Sequence, residues 1–269
     1  MKLRVAAKSD IGLKRKINED SWLINPDLGL YVIADGMGGH RAGEIASRMA
    51  VDTIEEYWKN VKAGKPPAFL HPIDANISIG AKHLINSIYF ANMMIHEAQK
   101  KPQYYKMGST VSALYIEKDC IWSANVGDSQ VYIFDHGHLI LVSEEHSIAA
   151  EQRSMGLFDS HSSTNPAIKN LLTRVLGLEE KVEVYITPVR PETGDIILLC
   201  SDGLTNYLSG QSIITILNDF SISLERKVDV LIEEANLGGG GDNITLILLE
   251  VLDVGSRWKK IKRRLITKD

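Results

Sequence analysis

Four aspartates of this 269-residue chain stand at the ends of apolar, strand-like runs, each close to glycine. Asp35 follows LYVIA, Asp128 follows CIWSANVG, Asp202 follows IILLCS, and Asp242 separates GGGG from NITLILLEV. A carboxylate at a strand end is held rigidly, and glycine lets the backbone turn tightly beside it. Burying several unpaired carboxylates together costs too much free energy to be tolerated. A shared divalent cation, gripped by carboxylates and a backbone carbonyl, is therefore the simplest explanation.

A base and two further acids occur early in the chain, at Arg15, Glu19 and Asp20. They precede a short strand-like run that turns at Pro26 and returns toward Asp35, so a hairpin brings both acids to the edge that carries Asp35. The alternative interpretation is a polar surface turn whose charges are simply solvated.

The acids and the arginine together indicate one reaction class. Two divalent cations held by carboxylates can lower the pKa of a shared water and orient it for in-line attack. Phosphorus suits such a site, because the cations and an arginine neutralise charge on its equatorial oxygens. No serine elbow, catalytic cysteine signature or Walker loop is present. The residues thus predict a metal-dependent phosphoester hydrolase and leave its substrate open.

Composition excludes several other classes. Residues 256–269 carry seven Lys/Arg and one Asp, so the net charge of −4 hides a body of charge −10. An acidic body argues against nucleic acid as a partner. No apolar run approaches the roughly 20 residues of a membrane span, so none is predicted. The two cysteines, Cys120 and Cys200, lie in apolar runs, and two buried free thiols would suit a cytoplasmic protein.

Periodicity predicts the elements that position these residues. Helices are expected over residues 43–59, 74–100, 210–219 and 224–235. Short turns between apolar runs over residues 109–142 indicate a continuous antiparallel meander. Residues 144–170 are polar and weakly periodic, which is typical of a mobile surface flap. His83 and His96 are interpreted as solvated helix residues.

Seven motifs follow one another as SDIGLKRKINEDSW, ADGMGGHRAGE, MGSTVSAL, ANVGDSQVY, LTRVLG, LLCSDGL and GGDNIT. As an ordered set over residues 5–251, they closely resemble the motifs of the metal-dependent protein phosphatases of type 2C (PPM family), in its bacterial form. The resemblance implies an α+β fold in which two antiparallel β-sheets pack as a central sandwich flanked by antiparallel helix pairs. It implies one catalytic domain over residues 1–254, with a flap at about 144–170, and a basic tail over 255–269.

The resemblance also implies a set of metal ligands. Asp35 would bridge two cations, Mn²⁺ or Mg²⁺, with Asp202 and Asp242 completing one site. The carbonyl of Gly36 would bind the other cation. Two acidic residues would contact the cations through water: Glu19 and Asp20.

The remaining implied roles concern the substrate and a third cation. Arg15 would bind the substrate phosphate, and Asp128 together with Asp202 would form a weaker third metal site. Met37 stands where many eukaryotic relatives have the histidine that is proposed as general acid. His40 is an alternative acid, and a water is another. Gln130 replaces the arginine of the usual Gly-Asp-Ser-Arg, which removes an ion-pair partner without removing a ligand.

The function implied is hydrolysis of phosphoserine and phosphothreonine in proteins, by a cytoplasmic monomer that opposes a cognate Ser/Thr kinase. Two other hypotheses stay open. A catalytically silent relative would bind phosphoproteins as a regulator, although it would not need the full set of ligands. A structural cation-binding domain would leave Arg15 unexplained.

Overall fold

The computed structural model describes residues 1–38, 42–155 and 171–255. His40, residues 156–170 of the predicted flap and residues 256–269 of the basic tail lie outside these ranges. The strands are β1 (Lys2–Asp10), β2 (Asp20–Asn25), β3 (Leu30–Met37), β4 (Gly108–Ser109), β5 (Val111–Glu117), β6 (Cys120–Val126), β7 (Gln130–Asp135), β8 (His138–Leu141), β9 (Tyr185–Val189), β10 (Ile196–Cys200) and β11 (Ile244–Asp253). The helices are α1 (Ala42–Lys62), α2 (Ile79–Ala98), α3 (Ile148–Ser154), α4 (Asp202–Thr205), α5 (Gly210–Leu217) and α6 (Leu224–Leu237), and Pro102–Tyr104 forms a 3₁₀ turn.

Within the described ranges the strands form two antiparallel sheets. The first sheet has five strands in the order β1-β11-β10-β7-β8. The second has six, in the order β2-β3-β5-β6-β9 with β4 beside β3. The predicted α+β sandwich is confirmed.

Three apolar layers hold the sheets and helices together, and strand β3 shows how. Tyr31 and Ile33 pack between the two sheets, against residues such as Ile247 of β11. The alternate residues Leu30 and Val32 pack instead against α1 and α2. Because both faces of the central strands are buried, their sequences are continuous apolar runs rather than alternating ones.

Helices α5 and α6 cover the outer face of the other sheet, where Leu217 and Leu231 pack against Leu198 and Leu246. The order of layers is therefore helix, sheet, sheet, helix. None of the helices in the described ranges combines the length and apolar character that crossing a bilayer requires.

Helix α2 corrects two expectations. It begins at Ile79 with Ser78 as N-cap, whereas Asp74 accepts the backbone N–H of Asn76 in a separate turn. His83 was predicted to be solvated but is 9% exposed, and its Nδ1 lies 2.8 Å from the Tyr57 hydroxyl. The helix is covered on more than one side, so a polar residue on it is buried and hydrogen-bonded.

The predicted meander over residues 109–142 is wrong at its centre. Strands β5 and β6 pair in one sheet, and β7 and β8 pair in the other. The turn at Gly127, Asp128 and Ser129 therefore carries the chain from one sheet to the other. It looks like a hairpin turn in the sequence, but it brings Asp128 to the boundary between the sheets.

Candidate active site

The predicted acidic residues meet at one end of the sandwich. Asp20 and Asp35 lie opposite each other on β2 and β3. Strand β10 lies between β7 and β11 and ends opposite the beginning of both, so Asp202, Asp128 and Asp242 leave the first sheet at the same end. The carboxyls of Asp35 and Asp202 are close enough for each to shift the pKa of the other.

Hydroxyl and amide donors hold one carboxylate oxygen of Asp20 and one of Asp202. Asp20 Oδ2 accepts hydrogen bonds from Thr245 Oγ1 at 2.6 Å and Ser201 Oγ at 2.9 Å. Asp202 Oδ2 accepts one from Asn206 Nδ2 at 2.9 Å. The second oxygens, Asp20 Oδ1 and Asp202 Oδ1, are buried and have no hydrogen-bond partner among the residues described. A buried carboxylate oxygen without a partner calls for a cation.

The pKa values of these carboxyls also indicate that their charged forms are unfavourable without a cation. Burial raises the pKa of Asp20 and of Asp128 to about 7, and that of Asp202 to about 6. Burial also raises the pKa of Asp35 well above its usual range, and the neighbouring aspartates, including Asp242, add to the shift. Like charges confined in a buried space disfavour ionisation, and bound cations relieve that penalty.

The donors present fit hard divalent cations. Carboxylate and carbonyl oxygens are the ligands that Mg²⁺ and Mn²⁺ prefer. Close packing at the start of α1 requires glycine, because a Cβ on Gly36 would overlap the carbonyl of Gly43. A Cβ on Gly43 would in turn collide with the Glu19 carboxylate and lie 2.7 Å from the Gly36 carbonyl oxygen. The Gly36 carbonyl thus lies next to the acidic cluster.

Arg15 lies at the mouth of the cluster. Its Nη2 donates to Asp242 Oδ2 at 2.8 Å, and its Nη1 lies 3.8 Å from Glu19 Oε2. Its side chain is 45% exposed, so the guanidinium borders both the acids and the solvent. Among the residues predicted for the site, it is the cation placed to meet an anionic substrate.

Asn243 holds the loop that carries Arg15. Its Nδ2 donates to the carbonyls of Ile11 and Ile17, each at 3.0 Å, and its Oδ1 accepts the backbone N–H of Glu19 at 2.8 Å. One buried side chain thereby ties residues 11–19 to the start of β11. The GGDNIT motif contained this residue, but its position in the motif alone indicated no role.

A group of hydroxyls positions the backbone of Asp35. The Asp35 N–H donates to Thr110 Oγ1 at 3.0 Å, and its carbonyl accepts from the Thr110 N–H at 2.8 Å and Ser109 Oγ at 3.0 Å. Thr110 Oγ1 lies 2.7 Å from Ser129 Oγ, next to Asp128. Sequence reasoning did not assign these residues. They could have been recognised in the sequence, because hydroxyl side chains rather than apolar ones stand at the ends of buried strands there.

His146 anchors the turn that carries Asp128. Its ring Nδ1 accepts the backbone N–H of Gly127 at 3.1 Å, and its backbone N–H donates to the Gly127 carbonyl at 3.0 Å. Its Nε2 lies 2.9 Å from Arg174 Nη1, and its carbonyl accepts the Thr173 N–H at 2.9 Å. Burial and Arg174 lower the pKa of His146 to about 4, so the ring is neutral. The Asp128 turn is thus tied to both ends of the predicted flap, because His146 lies near its start and Thr173 and Arg174 follow its end.

A separate group of potential ligands, Asp135, His136 and Asp195, lies at the other ends of β7 and β10. His136 is ion-paired with Asp135, and Asp195 Oδ2 accepts the backbone N–H of Glu192 at 2.6 Å. These contacts satisfy the group without a cation. Gln130, which replaces the usual arginine, accepts the Tyr132 hydroxyl at 2.8 Å through its Oε1.

Comparison with known proteins agrees with this arrangement. The family model described as Protein phosphatase 2C matches residues 14–234. The serine/threonine phosphatase Stp of Listeria welshimeri is 36% identical over 90% of this chain and 94% of its own length. The protein phosphatase PhpP of Streptococcus pneumoniae is 30% identical over 93% of this chain and 98% of its own length.

Solved structures show the same similarity. The Streptococcus agalactiae serine/threonine phosphatase superposes with a TM-score of 0.81 at 33% identity, covering 93% of this chain and 100% of the other. The catalytic domain of the phosphatase PstP, crystallised with two manganese ions, gives a TM-score of 0.74 at 30% identity, covering 93% and 99%. The chain therefore belongs to the protein phosphatase 2C family.

Proposed function

We propose that this protein hydrolyses phosphoserine and phosphothreonine in proteins, using Mn²⁺ or Mg²⁺. The observation that carries the proposal is the convergence of Asp35, Asp202 and Asp242 on one buried site with Arg15 at its mouth. The relatives named as serine/threonine phosphatases support it, since they match nearly the whole chain.

In this proposal Asp35, Asp202 and Asp242 hold two cations together with the Gly36 carbonyl, and Glu19 and Asp20 contact them through water. When bound, such cations supply Lewis acidity and activate water for attack on phosphorus.

The chain itself supplies orientation and charge. Arg15 exchanges its contact with Asp242 for the phosphate oxygens of the substrate, which a planar guanidinium can bind through two hydrogen bonds. Ser201 and Thr245 hold Asp20 in place, and the hydroxyl of Thr110 fixes the Asp35 backbone. Asp128 contributes to a third, weaker cation site beside Asp202. The role of His40 as general acid stays a prediction.

We further propose a cognate Ser/Thr kinase as the opposing enzyme, a cytoplasmic location and a monomeric state. The bacterial relatives named as serine/threonine phosphatases support the first of these. Pull-down of kinase from the source cell and light scattering of the purified protein test the partner and the oligomeric state.

Turnover of two substrates tests the activity. Pure protein is assayed with p-nitrophenyl phosphate and with a phosphothreonine peptide, with and without MnCl₂, beside the Asp35→Asn variant. We expect manganese-dependent release of phosphate from both substrates, and a rate in Asp35→Asn near background. Specific phosphopeptide binding without turnover above that variant would instead indicate a silent regulator.

A further inference from the structure

A groove leads away from the acidic cluster along the outer side of the first sheet. It encloses about 570 Å³. One end is formed by Asp128 and Asp202, and the walls along its length include Tyr132, Leu139 and Ile214. It is therefore continuous with the candidate active site, and a molecule bound at the carboxylates has direct access to it.

The chemistry of the groove changes along its length. Near the carboxylates it is polar. Farther away, Leu139 of β8 and Ile214 of α5 form an apolar wall that packs on the core beneath α5 and α6. Arg153 of α3 lies on the rim, but its Nη2 is paired with Glu145 Oε2 at 2.7 Å. Its charge is thereby neutralised locally, so it offers little attraction to a second acidic group.

We propose that this groove receives an apolar side chain of the phosphoprotein, close in sequence to the phosphorylated residue. The inference rests on the proposed function and adds a substrate preference to it. Continuity with the carboxylates identifies the occupant as substrate, and the volume lies within the range of small-ligand sites, roughly 300–1,000 Å³. An apolar side chain can bury its surface on Leu139 and Ile214, whereas an acidic one would lose its hydration against the same wall, and Arg153 is already paired with Glu145.

Phosphothreonine peptides that differ at one position test the preference. One set carries leucine at each of the two positions before and after the phosphothreonine in turn, and a matched set carries aspartate there. The remaining residues are glycine and serine. We expect leucine at one of these positions to raise kcat/KM about 10-fold over aspartate, the size of effect that a small apolar pocket produces.

Paired variants locate the effect. Leu139→Ser and Ile214→Ser should each reduce the leucine preference at least threefold, mainly through KM. Ile140→Ser is the matched control, since Ile140 neighbours Leu139 on the same strand and is 51% exposed. Turnover of p-nitrophenyl phosphate, which has no neighbouring side chain to place in the groove, should stay within twofold of wild type in all three variants.

The outcomes separate this inference from the proposed function. If wild type hydrolyses p-nitrophenyl phosphate but treats the leucine and aspartate peptides alike, the groove proposal is wrong and the phosphatase proposal stands. A preference that persists unchanged in both Leu139→Ser and Ile214→Ser also overturns it. Absence of all phosphatase activity in folded wild-type protein contradicts the proposed function itself. Thermal melting of each variant verifies its fold, and Ile214→Ser serves if Leu139→Ser unfolds.

Discussion

The inner and outer parts of the acidic cluster are supported in different ways. The inner part consists of Asp20, Asp35 and Asp202. Asp20 accepts hydrogen bonds from Ser201 and Thr245, which lie next to or on core strands, and Asp202 accepts one from Asn206 directly after the short helix α4. The outer part is Asp128, which lies on the turn between the two sheets. His146 ties that turn to both ends of the predicted flap. Core strands preorganise a site more precisely than loops do. The inner part is thus built for fixed geometry, whereas the outer part depends on a turn and on the loops that hold it.

The largest expected effect separates the two parts directly. Asp202→Asn should lower manganese-dependent kcat/KM for p-nitrophenyl phosphate roughly 1,000-fold, because it removes a charge that holds the cations. Asp128→Asn should lower it roughly 10-fold, as loss of a supporting ligand does. Steady-state kinetics over a manganese titration measure both. Asp135→Asn, an acid at the far end of β7, is the control and should keep wild-type turnover. Equal losses at Asp202 and Asp128 would contradict the distinction.

Arg15→Ala should have the next largest effect. Loss of charge-assisted hydrogen bonds worth about 1.5–3 kcal/mol should raise KM for a phosphate monoester roughly 10- to 100-fold. Manganese affinity, measured by calorimetry, should not fall, since Arg15 is not among the proposed ligands and its loss removes a positive charge next to Asp242. Arg226→Ala is the matched control, because Arg226 is ion-paired with Glu233 on the surface of α6. A parallel loss of manganese affinity would show that Arg15 instead positions Asp242.

The sequence was most informative about the positions of the acids. Asp35, Asp202 and Asp242 could be placed at strand ends because continuous apolar runs are read from residue types alone. The apolar run that precedes Asp128 forms strand β6, Cys120–Val126. The layered sandwich came from the family resemblance, not from periodicity.

Non-local contacts limited the rest of the prediction. The turn at Asp128 has the length of a hairpin turn, and nothing in its own residues shows that β6 and β7 belong to different sheets. The roles of Thr110 and His146 were missed for the same reason, since each acts on a residue distant in sequence. Cys120 was expected to be buried but is only half-buried, whereas Cys200 is fully buried.

Thr110→Val tests how much the hydroxyl support of the inner part contributes to stability. The variant leaves the Asp35 N–H without its side-chain acceptor, so the free energy of unfolding should fall by about 1–3 kcal/mol. Urea unfolding of protein treated with EDTA measures it. Thr215→Val is the matched control, because the Thr215 hydroxyl is exposed on α5 and bonds to the Gln211 carbonyl. It should change the free energy of unfolding by less than about 0.5 kcal/mol. Similar losses in the two variants would show that the Asp35 contact contributes no special stability.

The smallest expected effect concerns pH, and here the two parts should behave alike. Asp20 and Asp128 both have a pKa of about 7 in the folded chain, against an ordinary value near 4 in the unfolded chain. Between these values the folded state binds more protons than the unfolded state. These carboxyls therefore make the free energy of unfolding of the EDTA-treated protein decrease as the pH rises from about 5 to 8, whereas His146, whose pKa is lowered to about 4, contributes with the opposite sign at the lower end of this range. Urea unfolding at several pH values measures this slope.

Substitution of either carboxyl should flatten the slope, because it removes one group whose protons the folded state retains. Asp20→Asn and Asp128→Asn should flatten it by similar amounts, even though their effects on turnover need not match. Asp229→Asn, at an exposed acid whose pKa is lowered by Lys8, should not flatten it. Manganese should stabilise wild type more at pH 8 than at pH 5.5, because cations bind the deprotonated carboxylates. If neither substitution alters the slope, the burial of these carboxyls does not raise their pKa values, and a bound cation has no such penalty to relieve.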